Sequence, residues 1–199
     1  MQKRSMATVE SLLETAAQVF EERGYAACTT NHIAERDGVS IGTFYQYFPN
    51  KEAAAVVLLE RHLEQTSRNL NEWVGHTVAE RHSLHSALSE YVDGLMETHA
   101  GRPRLLHILL EETPLPNRVH VALLEAEREA AKTMAGLLGL YPEVRHANLR
   151  HAGYFVVHAA ESLTHYFAAH PGEQHIDREA FAAELVAMLE AYLVQPRSS

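Results

Sequence analysis

Val9, Leu12, Leu13, Ala16, Val19 and Phe20 recur every three or four positions, which places them on one face of a helix. Gly24 is expected to stop that helix, because glycine readily takes the left-handed conformation in which helices end. A short helix is predicted from Thr30 to about Asp37, ended by Gly38. Ser40 is placed to cap a third, with Val39 and Phe44 as a hydrophobic staple across its first turn. Pro49 breaks that helix, and Asn50 is placed to cap the next, which starts at Lys51.

Farther along the chain the helical segments lengthen. They are predicted near 82–99, 102–112, 116–138, 143–169 and 177–194. Breaks fall at Gly101-Arg102-Pro103, at Thr113-Pro114-Leu115-Pro116, between Gly139 and Pro142, and at His170-Pro171-Gly172. Asp177 is placed to cap the last helix, with Ile176 and Phe181 as its staple. Strand-like alternation, internal repeats and low-complexity tracts do not occur. The fold class is therefore all-α, with a compact head over residues 1–51 and a helical body over 52–199. The helix starting at Lys51 joins the two.

Composition narrows the class. The chain has 199 residues, 46% hydrophobic and 22% charged, an ordinary balance for a globular protein with a sizeable core. No run approaches the ~18 consecutive apolar residues of a membrane-spanning helix, and the N-terminal residues lead straight into an amphipathic pattern rather than a signal peptide. A single cysteine, Cys28, excludes an intramolecular disulfide and a cysteine-based zinc framework, and reads as a small buried residue. These features point to a cytoplasmic protein with no membrane partner. The net charge of −9 argues against a general nucleic-acid coat. Residues 1–51 carry five basic side chains against six acidic ones, so any DNA binding must rest on a local arrangement.

Such an arrangement lies at residues 33–40. A helix-turn-helix needs a short helix, a tight turn that often contains glycine, and a second helix for the major groove. Ile33-Ala34-Glu35-Arg36-Asp37-Gly38-Val39-Ser40 supplies the turn, with Ile33, Ala34 and Val39 as the apolar seal. The following Ile41-Gly42-Thr43-Phe44-Tyr45-Gln46-Tyr47-Phe48-Pro49-Asn50-Lys51-Glu52 completes a Val-Ser-x-Gly-Thr-Phe-Tyr-x-Tyr-Phe-x-x-Lys-Glu pattern. Over about residues 8–60 this strongly resembles the head of the TetR family of transcriptional regulators. Beyond it, the chain agrees with the family only in being helical and of suitable length.

The resemblance implies a three-helix helix-turn-helix head followed by a helical ligand-binding and dimerisation body. Thr30, at a helix start, offers a hydroxyl and free N–H groups to a phosphate, and Lys51 is similarly placed. In the third helix, Ile41, Gly42, Thr43 and Gln46 match positions that touch bases in the family. Gly42 permits close approach, Thr43 can meet a thymine methyl or a phosphate, and Gln46 suits adenine. Asn31 is a candidate base contact from the second helix, and Tyr45 and Tyr47 are candidates for phosphate. Relatives often carry lysine where Ile41 stands, so Ile41 either meets a thymine methyl or contributes little. Phe44 and Phe48 belong to the core. Lys3 and Arg4 suit either a minor-groove arm or a free tail.

The last helix is apolar on two sides, with Phe181, Leu185, Met188 and Tyr192 on one and Ala182, Val186, Leu189 and Leu193 on the other. A helix facing only its own core needs one stripe. The resemblance makes its partner the same helix of a second subunit, joined by the helix near 143–169 in a homodimer that suits a palindromic operator. It also implies a small-molecule effector. Candidate lining residues are Trp73, Tyr91, Leu95, His107, Leu110, Leu124, Phe155 and His158. The expected function is sequence-specific regulation of transcription, with repression relieved by an inducer.

Fourteen histidines are many for this length. His151, His158 and His165 recur every seven residues, with Tyr154 and Glu161 between them on the same face. Either they form a polar stripe, or pairs such as His158 with Glu161, or Glu161 with His165, serve a metal or pH sensor. Histidines seven apart lie about 10 Å apart along the axis, too far to share one ion. No metal site or cofactor is assigned. An enzyme is the competing class, and a di-iron bundle needs Glu-x-x-His from two helices plus two inward glutamates. One such element occurs, Glu143-x-x-His146, and neither a zinc-protease motif nor a nucleophile elbow accompanies it.

Overall fold

The computed structural model describes residues 2–170 and 175–194. The expected break at Pro171-Gly172, and the side chains of Lys3 and Arg4, lie outside the described residues. The helices are α1 (Gln2–Ala27), α2 (Thr30–Asp37), α3 (Ile41–Tyr47), α4 (Lys51–Glu80), α5 (Leu84–Ala100), α6 (Pro103–His107), α7 (Asn117–Leu138), α8 (Leu149–Ala169) and α9 (Arg178–Val194). Among the described residues there is no strand.

The chain divides into two compact units. The first comprises residues up to Glu64 together with Arg102–Val121, and the second Gln65–Gly101 together with Ala122–Ser199. These differ from a simple division after residue 51, because 102–121 joins the N-terminal helices.

In the first unit, α1 packs on α2 and α6, and α2 packs on α3. The predicted face of α1 is the buried one: Leu12, Leu13, Ala16, Val19 and Phe20 are all enclosed, with Ile33, Ala34, Phe44 and Phe48. The helix expected at 102–112 is not uniformly α. After His107 it widens into a π-helical turn, Ile108–Glu112, which also packs on α1. The Thr113 hydroxyl closes that turn by donating to the Ile108 carbonyl at 3.1 Å.

Gly24 interrupts α1 rather than ending it. Its φ of 75° and ψ of 165° break the helix, yet helical residues resume as far as Ala27. The reason lies in the neighbours of the break. The Tyr25 N–H donates to Glu112 Oε2 at 3.0 Å, and the Tyr25 ring is buried against Phe20, ring centroids 5.7 Å apart.

In the second unit, α5 packs against both α8 and α9, which also touch each other. Leu88, Val92, Met134, Leu138, Ala152, Val156, Ala160, Leu185, Leu189 and Leu193 form the centre of its core. Helices α7 and α8 cross closely at Gly153, where a Cβ would stand 2.3 Å from the Ala131 carbonyl oxygen and 2.7 Å from the Ala135 nitrogen. Asp177 caps α9 as expected, accepting from the Ala180 N–H at 2.8 Å. Phe181 stacks on Phe167 at 4.2 Å, while its expected staple partner Ile176 is exposed.

Helix α8 begins at Leu149, not near 143, because Asn148 takes the cap and accepts from the Arg150 and His151 N–H groups. Glu143 and His146 therefore precede the helix. They lack the one-turn helical spacing that a di-iron element requires.

Candidate nucleic-acid interface

The head is held by caps at each turn. Thr29 is the N-cap of α2: its hydroxyl accepts from the His32 N–H at 3.2 Å, and His32 Nδ1 accepts from the Thr29 N–H at 3.3 Å. Thr30 is thus the first helical residue. At the other end Gly38 sits in the left-handed region, φ 75° and ψ 22°. The Val39 N–H then reaches back to the Ala34 carbonyl at 3.0 Å, closing the turn between the two helices. Ser11 and Thr15 donate to Asp37 Oδ1 at 2.6 and 2.9 Å, tying the end of α2 to α1.

Ser40 caps α3 by accepting from the Thr43 N–H at 3.0 Å, and its hydroxyl lies 2.9 Å from that of Thr43. Phe44 and Phe48 are buried and pin the inner side of α3. Helical geometry then turns Ile41, Gly42, Tyr45 and Gln46 outward, and all four are exposed. Tyr47 and Thr43 are half-buried. Thr30 Oγ1 lies 3.1 Å from Tyr45 Oη, so two predicted contacts on different helices meet, with exposed Asn31 beside them.

Lys51, a candidate for a phosphate contact, is bonded within the head. Its ammonium donates to the carbonyls of Tyr25 at 2.5 Å and Cys28 at 2.8 Å, with Ala26 at 3.4 Å. It also lies 4.2 Å from the centroid of the Tyr25 ring. This lysine locks the end of α1 onto the start of α4. The Arg36 guanidinium pairs with Glu22, holding that carboxyl below the usual range, so it too is engaged within the head.

In the second unit, three of the candidate lining residues come together and others do not. The Trp73 and Tyr91 rings lie 4.9 Å apart. Tyr91 and Leu95 are buried, and burial, then the charge of Glu161, pushes the Tyr91 hydroxyl well above its ordinary value. By contrast Leu124 and Phe155 are 51% and 56% exposed, so neither lines an interior site. Phe155 instead meets Tyr192 on α9 at 5.6 Å. His107 is exposed and Leu110 half-buried, and both belong to the first unit. His158 is half-buried against the Tyr154 ring at 4.0 Å, its Nε2 3.9 Å from Glu127.

A buried polar group that the sequence reading passed over accompanies Tyr91. His99 is 4% exposed, and its Nε2 lies 3.1 Å from Glu161 Oε2. The His165 ring stands 5.5 Å from that of His99. The histidine stripe of α8 thus divides among different surroundings: Glu161 pairs with His99 on α5, while His158 lies near Glu127 on α7. The signal was present in α5, where Tyr91, Leu95 and His99 follow at four-residue spacing and put a histidine on the buried face.

Comparison with known proteins agrees with this architecture. A family model for bacterial regulatory proteins of the tetR family matches residues 12–56, and one for the tetracyclin repressor-like C-terminal domain matches residues 83–193. The HTH-type transcriptional activator FasR of Mycolicibacterium smegmatis is 33% identical over 90 residues, covering 45% of this chain and 41% of the relative. The chain thus matches less than half the length of that relative. A TetR-family transcriptional regulator from Mesorhizobium loti superposes with a TM-score of 0.75 at 15% identity, over 95% of this chain and 96% of the other. The regulator FadR of Bacillus subtilis, solved in complex with stearoyl-CoA, superposes at 0.67 with 19% identity, over 95% and 99%. With one family model on the helix-turn-helix and the other spanning more than half of the chain, this protein belongs to the TetR family of transcriptional regulators.

Proposed function

We propose that this protein is a sequence-specific DNA-binding regulator that represses transcription and is released from its operator by a small-molecule effector. The observation that carries the reading is the outward row of α3, Ile41, Gly42, Tyr45 and Gln46, held by Ser40 beneath it and by Phe44 and Phe48 behind it. In this reading α3 enters the major groove, where Gln46 pairs with an adenine edge and Ile41 meets a thymine methyl. Thr30, Asn31, Thr43, Tyr45 and Tyr47 hold phosphates and neighbouring bases. With Lys51 and Arg36 engaged internally, phosphate affinity rests largely on hydroxyls and helix N-termini.

The test is fluorescence anisotropy of the full chain on DNA upstream of its own gene, against scrambled DNA, at two salt concentrations. Selective binding that weakens with salt supports the reading. Equal binding to both DNAs overturns it.

A homodimer through α8 and α9 belongs to the same proposal. Phe155, Leu163 and Tyr166 are exposed and fall on one side of α8, with exposed Met188 on α9. Apolar side chains of this size in one region mark an interaction face. Phe155→Glu with Tyr166→Glu should give a monomer by size-exclusion chromatography with light scattering. A monomeric parent protein would refute the dimer.

For the effector, the supporting group is Trp73, Tyr91, Leu95, His99, Glu161 and His165, an apolar setting with a few polar atoms. Its composition suits an effector with a long or aromatic apolar part. Fatty acyl-CoA is the first class to try, since a structural neighbour is solved with stearoyl-CoA. An effector acts only by binding one conformational state more tightly than another. Release of operator DNA in the anisotropy assay identifies it. The site of action is the cytoplasm, where the operator is, and no helix among the described residues is long and apolar enough to cross a membrane.

A further inference from the structure

We infer that His76, His82 and Glu90 form a binding site for a divalent transition-metal ion of the zinc, nickel or cobalt class. Each offers one ligand atom, and these atoms lie within 4.8 Å of one another; among the described residues no other triad of His, Cys, Asp and Glu meets this spacing. His82 Nδ1 and Glu90 Oε1 are 3.0 Å apart, and the rings of His76 and His82 stand edge to face at 5.3 Å.

The backbone builds this grouping. His76 lies near the end of α4, and Glu80 is its last helical residue. Arg81 then takes the left-handed conformation, φ 54°, and the His82 N–H bonds back to the Thr77 carbonyl at 3.2 Å. That turn swings His82 toward its predecessor His76. Ser83 caps α5 immediately afterwards, accepting from the Ser86 N–H at 3.2 Å, and Glu90 follows two turns into α5. Three donors from two helices and their joint are therefore brought to one place by a defined turn, not by a loose loop.

The donor set selects the ion. Two imidazoles and a carboxylate suit zinc, nickel, cobalt or copper, whereas magnesium and calcium prefer oxygen alone. Bonds of about 2.0–2.2 Å hold tetrahedral donors roughly 3.3 Å apart, so the exposed His76 side chain must close by at most about 1.5 Å. Such a movement is a small torsional adjustment of an exposed side chain. Three protein donors leave a fourth position for water or a further ligand. The bound ion ties α4 to α5, the two helices that carry Trp73 and Tyr91.

Trp73 is the only tryptophan, three residues before His76, and reports directly on the site. The experiment titrates untagged full-length protein with Ni²⁺ and then Zn²⁺, following Trp73 fluorescence and measuring stoichiometry by equilibrium dialysis. The expected result is saturable quenching at about one Ni²⁺ per chain, reversed by Zn²⁺. His76→Gln and Glu90→Gln should each weaken binding at least tenfold, while His151→Gln, on the α8 stripe, leaves it unchanged. His76 is exposed, so its replacement disturbs no core contact. Absence of saturable binding overturns the site, as does equal affinity in the His76 and Glu90 variants. Loss of binding in His151→Gln alone would move the ion to α8 and equally overturn it.

Discussion

The hydroxyl oxygens of Thr30 and Tyr45 lie 3.1 Å apart, joining the first residue of α2 to the middle of α3. Whichever donates, the pair orients both side chains on the outer surface of the head. Tyr45→Phe removes this bridge and one candidate phosphate donor. A neutral hydrogen bond contributes about 1 kcal/mol, so operator binding should weaken roughly fivefold. Thr43→Ala with Tyr45→Ala should abolish it while leaving the elution volume in size-exclusion chromatography unchanged. Unchanged anisotropy in the double variant would remove α3 from the interface.

Lys51 separates a structural role from a DNA-binding one. Its ammonium is bonded to the carbonyls of Tyr25 and Cys28. Lys51→Met should therefore lower stability by about 2 kcal/mol, the scale of a charged hydrogen bond, seen in urea denaturation. The slope of log K against log salt should stay the same. A phosphate contact would instead reduce that slope by about 0.9.

Two glycines predict opposite severities. At Gly153 a methyl group would overlap the Ala131 carbonyl at 2.3 Å, so Gly153→Ala must push α7 and α8 apart. At Gly38 nothing lies within 4 Å of a Cβ, and only the left-handed φ of 75° opposes substitution. Gly38→Ala should cost about 1–2 kcal/mol and Gly153→Ala distinctly more. Thermal denaturation of the two variants ranks them, and the reverse order would contradict the close crossing.

Cys28 is buried, and burial pushes its thiol up to about 11 against the opposing pull of Lys51 and Arg23. Iodoacetamide at pH 8 should label it slowly in the native protein and rapidly in urea. The sign for stability follows. The neutral thiol is the folded form, so its contribution is complete below about 9 and is lost as pH rises toward 11, where the unfolded chain gains by ionising. Rapid native labelling would show that the thiol is accessible.

Much of the head was legible because its signals are local. Ser40 and Asn50 cap the helices they were expected to cap, Gly38 turns where a glycine was needed, and Phe44 and Phe48 are buried. The interior was less legible. Leu124 and Phe155 were candidates to line an interior site on hydrophobicity alone, yet both are exposed, and the buried His99–Glu161 pair was missed. An apolar residue announces that it will be covered somewhere, without saying by what.

The all-α class, the helix-turn-helix and the row of outward residues on α3 are written into the order of residues along the chain. Caps, glycine turns and 3.6-residue periodicity act over a few neighbouring positions and can be read there. Packing is what brings Lys51 to carbonyls 23 to 26 positions earlier, Glu112 to Tyr25, and Glu161 to His99 on another helix. Those choices depend on which charged group reaches a given donor or acceptor first once the helices pack. That is a matter of distance in space, which spacing along the chain does not encode.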